Sequence, residues 1–165
     1  MHNIIHGQTR SGKTSLCKEL ARKYKAQGIG VIVLDPVMDG DWECDFKTDN
    51  WDLFLEVYWK SESCMAFFDE AYKYCFHKNE PAVETATMGR HRGHINHYIA
   101  HRANLIDTTI RAQCSELFLF RSGAKDCKLL NEEWNDPLIQ EAPDFPNGTF
   151  LHIRRGEPGN ISRLF

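Results

Sequence analysis

Gly7-Gln8-Thr9-Arg10-Ser11-Gly12-Lys13-Thr14 fits the pattern Gly-x4-Gly-Lys-[Ser/Thr] at every position. Its surroundings give the match its weight. Asn3-Ile4-Ile5-His6 before it is a short strand candidate, and over residues 13–27 the apolar Leu16, Leu20 and Tyr24 recur at helical spacing. Strand, glycine-containing loop and helix in that order make a cradle for phosphate. The glycines let main-chain N–H groups curl around the anion, and the helix N-terminus adds a favourable dipole. The motif therefore predicts that Gly7, Gln8, Thr9, Arg10, Ser11, Gly12, Lys13, Thr14 and Ser15 bind a nucleotide, ATP. Lys13 would reach the β- and γ-phosphates, and the Thr14 hydroxyl would be a ligand of Mg²⁺.

Working outward, Gly28 and Gly30 close the helix, and Val31-Ile32-Val33-Leu34 followed by Asp35-Pro36 reads as a strand buried on both faces. A right-handed βαβ unit is expected. Residues 36–50, with Asp39, Asp41, Glu43, Asp45 and Asp49, read as an exposed acidic loop. Helices are predicted over 51–59, 82–92 and 108–114, and strands over 64–68, 97–100 and 116–120, the last of them closing the parallel set. This alternation predicts a three-layer α/β domain with a mainly parallel sheet. One domain is expected over 1–165, with a core at 1–130. The rest, 131–165, is a loop marked by Pro137, Pro143, Pro146 and Gly148, then a β-hairpin of 149–153 and 161–164 around Gly156-Glu157-Pro158-Gly159.

The 165 residues are 42% hydrophobic and 26% charged, proportions of a globular protein that exclude a disordered or fibrous one. Twenty Lys and Arg against 23 Asp and Glu give a net charge of -3, which excludes a uniformly basic coat but not a local basic surface. No apolar run approaches the ~20 residues that span a bilayer. A charged and then apolar leader does not follow Met1, so a cytoplasmic setting is expected. Six cysteines without a Cys-x-x-Cys pair are expected to be buried free thiols.

Asp69 and Glu70 follow Met65-Ala66-Phe67-Phe68. Both acids thus emerge at the C-terminal end of a buried strand, where ligands of an open α/β sheet gather. Asp69 would contact Mg²⁺ and Glu70 would activate the water that attacks the γ-phosphate. Alternatively the pair caps a helix starting at Ala71. A carboxylate poised to activate water favours hydrolysis over transfer to a small metabolite.

Three further stretches resemble the FtsK-HerA branch of P-loop ATPases, ring-shaped DNA pumps: Gly89-Arg90-His91-Arg92-Gly93, Tyr98-Ile99-Ala100-His101-Arg102, and Ile110-Arg111-Ala112-Gln113 leading to Phe118-Leu119-Phe120. With the two nucleotide motifs the resemblance spans residues 3–125. It implies a RecA/ASCE-like P-loop NTPase fold and a homo-oligomeric ring. It also places Arg90 where the family supplies an arginine finger to a neighbouring subunit, and His101 where the family usually carries a sensor glutamine. An imidazole there can hydrogen-bond phosphate or water, but its protonation is pH-sensitive near neutrality. Arg92, Arg102 and Arg111 are further candidates for phosphate or DNA contacts; a solvated surface arginine fits each taken singly.

His91, His94, His97 and His101 invite a zinc reading, but no Cys or carboxylate completes a tetrahedral set at zinc-site spacing, so surface and sensor histidines are expected. Between Gly89 and Arg121 five arginines and four histidines face only Asp107 and Glu116. That concentration suits either a phosphate backbone or the ATP and subunit interfaces. Trp51, Phe54, Tyr58 and Trp59 sit at helical spacing, as core residues do.

The chain carries little beyond this core, and so resembles the genome-packaging ATPases of tailless, membrane-containing viruses. The resemblance implies translocation of double-stranded DNA into a preformed capsid, docking at vertex proteins, and a place in the host cytoplasm or on the virion. A nucleoside or nucleotide kinase, a Zot-like phage assembly ATPase and a nucleotide-gated binding module remain as alternatives.

Overall fold

The computed structural model describes residues 1–38 and 40–165. Asp39, one of the acids assigned to the exposed loop, lies outside them. Eight strands form one sheet: β1 (His2–His6), β2 (Val31–Leu34), β3 (Phe46–Thr48), β4 (Met65–Phe68), β5 (Ile95–Ala100), β6 (Cys114–Phe120), β7 (Thr149–Arg154) and β8 (Asn160–Arg163). Their spatial order is β3-β2-β4-β5-β1-β6-β7-β8. The first six run parallel, whereas β7 pairs antiparallel with β6 and β8 antiparallel with β7.

Successive strand residues point to opposite faces, so each central strand feeds two cores. Ile5, Val31, Val33, Phe67, Ile99, Phe118 and Phe120 face the side covered by helix α1 (Lys13–Ala26) through Leu16, Cys17 and Ala21. Ile4, Ile32, Leu34, Phe68, Tyr98 and Leu119 face the other side, under α2 (Trp51–Lys60), α3 (Glu80–Met88), α4 (Thr108–Gln113) and α5 (Ala124–Trp134). The expected three layers follow. Phe54 and Tyr58 are buried in α2, with Trp51 and Trp59 packed against the same core. The thiols are free, five of them buried and Cys44 partly so.

Several elements differ from expectation. Strands β1 and β2 of the anticipated βαβ unit are not neighbours, because β5 and β4 lie between them. The acidic loop contains β3, a parallel edge strand held where Asp45 and Val31 exchange two hydrogen bonds, one through the Asp45 carboxylate. The helix anticipated over 82–92 ends at Met88 and continues as a 3-10 turn, Gly89–Arg92. Tyr58 requires glycine at this junction: a Cβ on Gly89 would lie 1.9 Å from its hydroxyl. Residue Cys114 opens β6 rather than ending a helix. Helix α5 was not anticipated, and the proline-rich connection after it is a 3-10 helix, Pro137–Asp144. The expected hairpin exists as β7 and β8, but it extends the central sheet rather than standing beside it. Among the described residues no helix is long and apolar enough to cross a membrane.

Candidate active site

The phosphate-binding motif occupies the turn from β1 into α1. Its geometry demands glycine at two points. Gly7 has φ 159° and Gly12 has φ 117°, where a side chain is strained. A Cβ at Gly7 would lie 2.6 Å from that of Phe120, and one at Gly12 would lie 3.0 Å from the Phe120 ring. Arg10 takes the left-handed conformation, φ 62°. Main-chain bonds fix the loop from three sides: Gly7 N–H donates to Ala100 O (3.2 Å), Gln8 N–H to Arg121 O (2.8 Å), and Gly148 N–H to Ser11 O (2.9 Å). Ser11 is buried, while Gln8, Thr9, Arg10, Thr14 and Ser15 are exposed on the rim. The Lys13 ammonium bonds the Gln8 carbonyl at 2.8 Å. Burial lowers the Lys13 pKa, partly offset by the charges of Glu70 and Asp69.

Because β5 is inserted between β1 and β4, three strand ends line up beside this loop. Asp69 leaves β4, and its main-chain N–H is held by Leu34 O at 2.9 Å. Its carboxylate accepts the Glu70 N–H at 2.9 Å. Burial, with the charges of Asp35 and Glu70, pushes the Asp69 carboxyl up to about 6. Glu70 sits in the left-handed region, φ 46° and ψ 46°, a conformation that costs a non-glycine residue and gathers at functional sites. His101 leaves β5 with Nδ1 3.6 Å from Glu70 Oε2 and its ring edge-on to Tyr72. Glu70 introduces only a 3-10 turn, Ala71–Lys73, and makes no side-chain cap bond to it, so helix capping does not account for the pair.

Asp35, at the end of β2, acts on Asp69 through its charge, although in the sequence it reads only as the close of a strand in an Asp-Pro turn. It is 2% exposed. Its Oδ1 accepts the N–H groups of Val37 and Met38, and its buried Oδ2 has no partner. The charges of Asp35 and Glu70 thus reach Asp69, and those of Asp69 and Glu70 reach Lys13; a carboxyl raised in this way suits a hard cation held together with water or phosphate oxygens. Among the described residues no three His, Cys, Asp or Glu converge as a preformed metal centre. His94 is buried between Tyr58 O and Cys64 N, and His97 is stacked on Phe67.

The other basic candidates separate. Arg102 flanks a cleft of about 700 Å³ together with Gln8, Thr9, His101 and the first turn of α5. Arg90 and Arg92 lie before the N-terminus of β5, the opposite end of the sheet from the phosphate loop. A six-residue strand spans ~20 Å, so the chain does not bring its own Arg90 to the site. Arg111 is buried: its guanidinium forks onto Glu133 (2.9 and 2.8 Å) and binds the carbonyls of Ala103 and Ile106. Arg111 therefore cannot contact DNA, and the basic segment presents one arginine fewer than its composition suggests.

A phosphate loop between parallel strands, with two acids ending a strand one position removed, defines the fold of the P-loop ATPases. No protein-family model matches the chain, and no curated protein matches it. Solved structures do. The genome packaging NTPase B204 from Sulfolobus turreted icosahedral virus 2, in complex with AMPPCP, superposes with a TM-score of 0.83 at 16% identity, over 99% of this chain and 97% of that one. VirB4 of Thermoanaerobacter pseudethanolicus gives 0.76 at 11% identity, over 99% and 89%. The pCW3 conjugation coupling protein TcpA with ATPγS gives 0.72 at 15% identity, over 98% and 59%. The resemblance to packaging ATPases is thus borne out in the fold.

Proposed function

We propose that the chain is an ATP-hydrolysing subunit of a ring-shaped motor that translocates double-stranded DNA, packaging a viral genome into a preformed capsid. The observation that carries the hydrolytic reading is the alignment of the phosphate loop, His101 and Asp69-Glu70 at three successive strand ends, β1, β5 and β4. Gly7 to Ser15 would hold the triphosphate, with Lys13 exchanging the Gln8 carbonyl for phosphate oxygens. Thr14 and Asp69 would hold Mg²⁺, which neutralises charge developing on the phosphates. Glu70 orients the attacking water and accepts its proton. His101, within reach of Glu70, contacts water or γ-phosphate from the adjacent strand. Arg90, remote from its own chain's phosphates, can stabilise transition-state charge only across a subunit boundary. The overlap with B204 along nearly both full chains supports the packaging reading.

Phosphate release from ATP by wild type and Glu70→Gln, with and without linear double-stranded DNA and over a range of protein concentrations, tests the proposal. Expected are DNA stimulation rising steeply with protein concentration and a loss of at least ~100-fold in the variant with nucleotide binding retained. DNA-independent turnover, or phosphate transferred to an added nucleoside, would return the chain to the kinases.

A further inference from the structure

On the side of the phosphate loop away from His101 lies a second cleft, of about 300 Å³. One wall is Arg10 and the segment from Gly12 to Ser15; the other is Asn147 with Phe165. Phe165 is 80% exposed, and the residue before it, Leu164, is tied to the loop through Gly148. Ser11 O accepts the Gly148 N–H at 2.9 Å, and Gly148 O accepts the Leu164 N–H at 2.9 Å. Gly148 adopts φ 80°, and a Cβ there would lie 2.7 Å from the Phe165 ring. One side of the ring thus rests on a bare glycine while the remainder is open to the cleft.

The direction of a bound nucleotide identifies the occupant. Lys13 takes the β- and γ-phosphates and the main-chain N–H groups at the start of α1 take the α/β end. With Glu70 and His101 at the γ end, the nucleoside leaves toward Ser15, into this cleft. Resting on the ATP reading above, we infer that Phe165 is the stacking platform for the purine base of the nucleotide and that Asn147 beside it reads the base edge. An aromatic face suits any base, and an exposed amide can turn to offer its donor and its acceptor to the edge of either purine.

Calorimetric titration with ATP, GTP and inorganic tripolyphosphate, all with Mg²⁺, tests this on the full chain. Phe165→Ala is expected to weaken ATP about tenfold, the size of one base–aromatic stack, and to leave tripolyphosphate within about twofold. Phe165→Trp should retain ATP affinity, and Asn147→Ala should weaken ATP and GTP alike while leaving tripolyphosphate unchanged. Wild-type ATP affinity in Phe165→Ala, or equal losses for ATP and tripolyphosphate, overturns the base platform; wild-type affinity for both nucleotides in Asn147→Ala overturns the role of the amide. Failure of wild type to bind even tripolyphosphate overturns the phosphate-loop reading itself, and this inference with it.

Discussion

At Asp69 the demands of the site oppose those of the fold. Its carboxyl is held up to about 6 by burial and by the charges of Asp35 and Glu70, against an ordinary value near 4. A carboxyl raised on folding favours the protonated native state. Its stabilising contribution is complete below the unfolded value and is lost as pH rises through about 6. Near neutrality the ionised Asp69 is therefore a net cost, which a bound cation would relieve. Asp69→Asn keeps an oxygen for the Glu70 N–H and removes the charge. The variant should be more stable than wild type at pH 7, by about 1–3 kcal/mol, with the difference shrinking below pH 6. Urea unfolding of both proteins at pH 5 and 7, without nucleotide, gives the comparison. An Asn variant no more stable at pH 7 would mean that burial and its acidic neighbours do not raise Asp69 as described. Asp69 and Glu70 were legible because an apolar strand ran directly into them. Asp35, Asn147 and Phe165 were not, because their approach to the loop is set by strand order and by the returning hairpin, neither of which is local in sequence.

Among the elements, strands buried on both faces announced themselves as continuous apolar runs, and β2 matches its run residue for residue. Strand β3 did not, since three residues carry no measurable alternation and its pairing depends on Asp45 meeting Val31 across fourteen positions. Helix α5 had a signal: Cys127, Leu130 and Trp134 are its buried residues and stand at i, i+3 and i+7. Lys, Asn and Glu between them hid the stripe. This helix completes the nucleotide side of the fold, its first turn lining the 700 Å³ cleft and its last turn supplying Glu133 to Arg111. Arg111 is 5% exposed and joins α4, α5 and the turn at Ala103 through one guanidinium. Removing the guanidinium leaves the half-buried Glu133 carboxylate unpaired and the Ile106 carbonyl without its donor, while Ala103 O keeps the Ile106 N–H. Arg111→Ala should cost about 2–4 kcal/mol by urea unfolding while the folded variant keeps wild-type ATP affinity. Arg111→Lys should recover only part of this, because an ammonium cannot reproduce the fork. A variant of wild-type stability but weakened DNA binding would restore Arg111 to the nucleic-acid surface.

Across the molecule, the two faces of the sheet are sealed with histidines that must stay neutral. His2 accepts the Asn96 N–H at Nδ1 and donates from Nε2 to Ala86 O. The hydroxyl of Ser122 donates to Phe120 O, so His6 must donate its Nδ1–H to Ser122 Oγ. His97 lies against Phe67 and is fully buried. Burial foremost lowers their pKa values, to about 4 for His2 and about 3 for His6 and His97; the charge of Lys13 contributes at His6. A depressed histidine stabilises the fold fully above its unfolded value, near 6.5, and that contribution is lost as pH falls toward the folded value. Each should therefore steepen the decline by ~1.4 kcal/mol per pH unit between about pH 6 and 4.5, and the three act together. Asp69 opposes them with one proton over part of the same range, leaving a net uptake of about two protons on unfolding. Stability should thus fall by about 3 kcal/mol per pH unit there, a loss of about 4–5 kcal/mol by pH 4.5 from the 5–15 kcal/mol that a domain typically holds at neutrality. Urea midpoints between pH 7 and 4.5 measure the slope directly. A flat profile would mean that these histidines keep their ordinary pKa values in the folded state and that burial does not hold them neutral. His6→Gln should flatten the profile by one proton if its amide nitrogen takes over the donation to Ser122, separating this histidine from the other two.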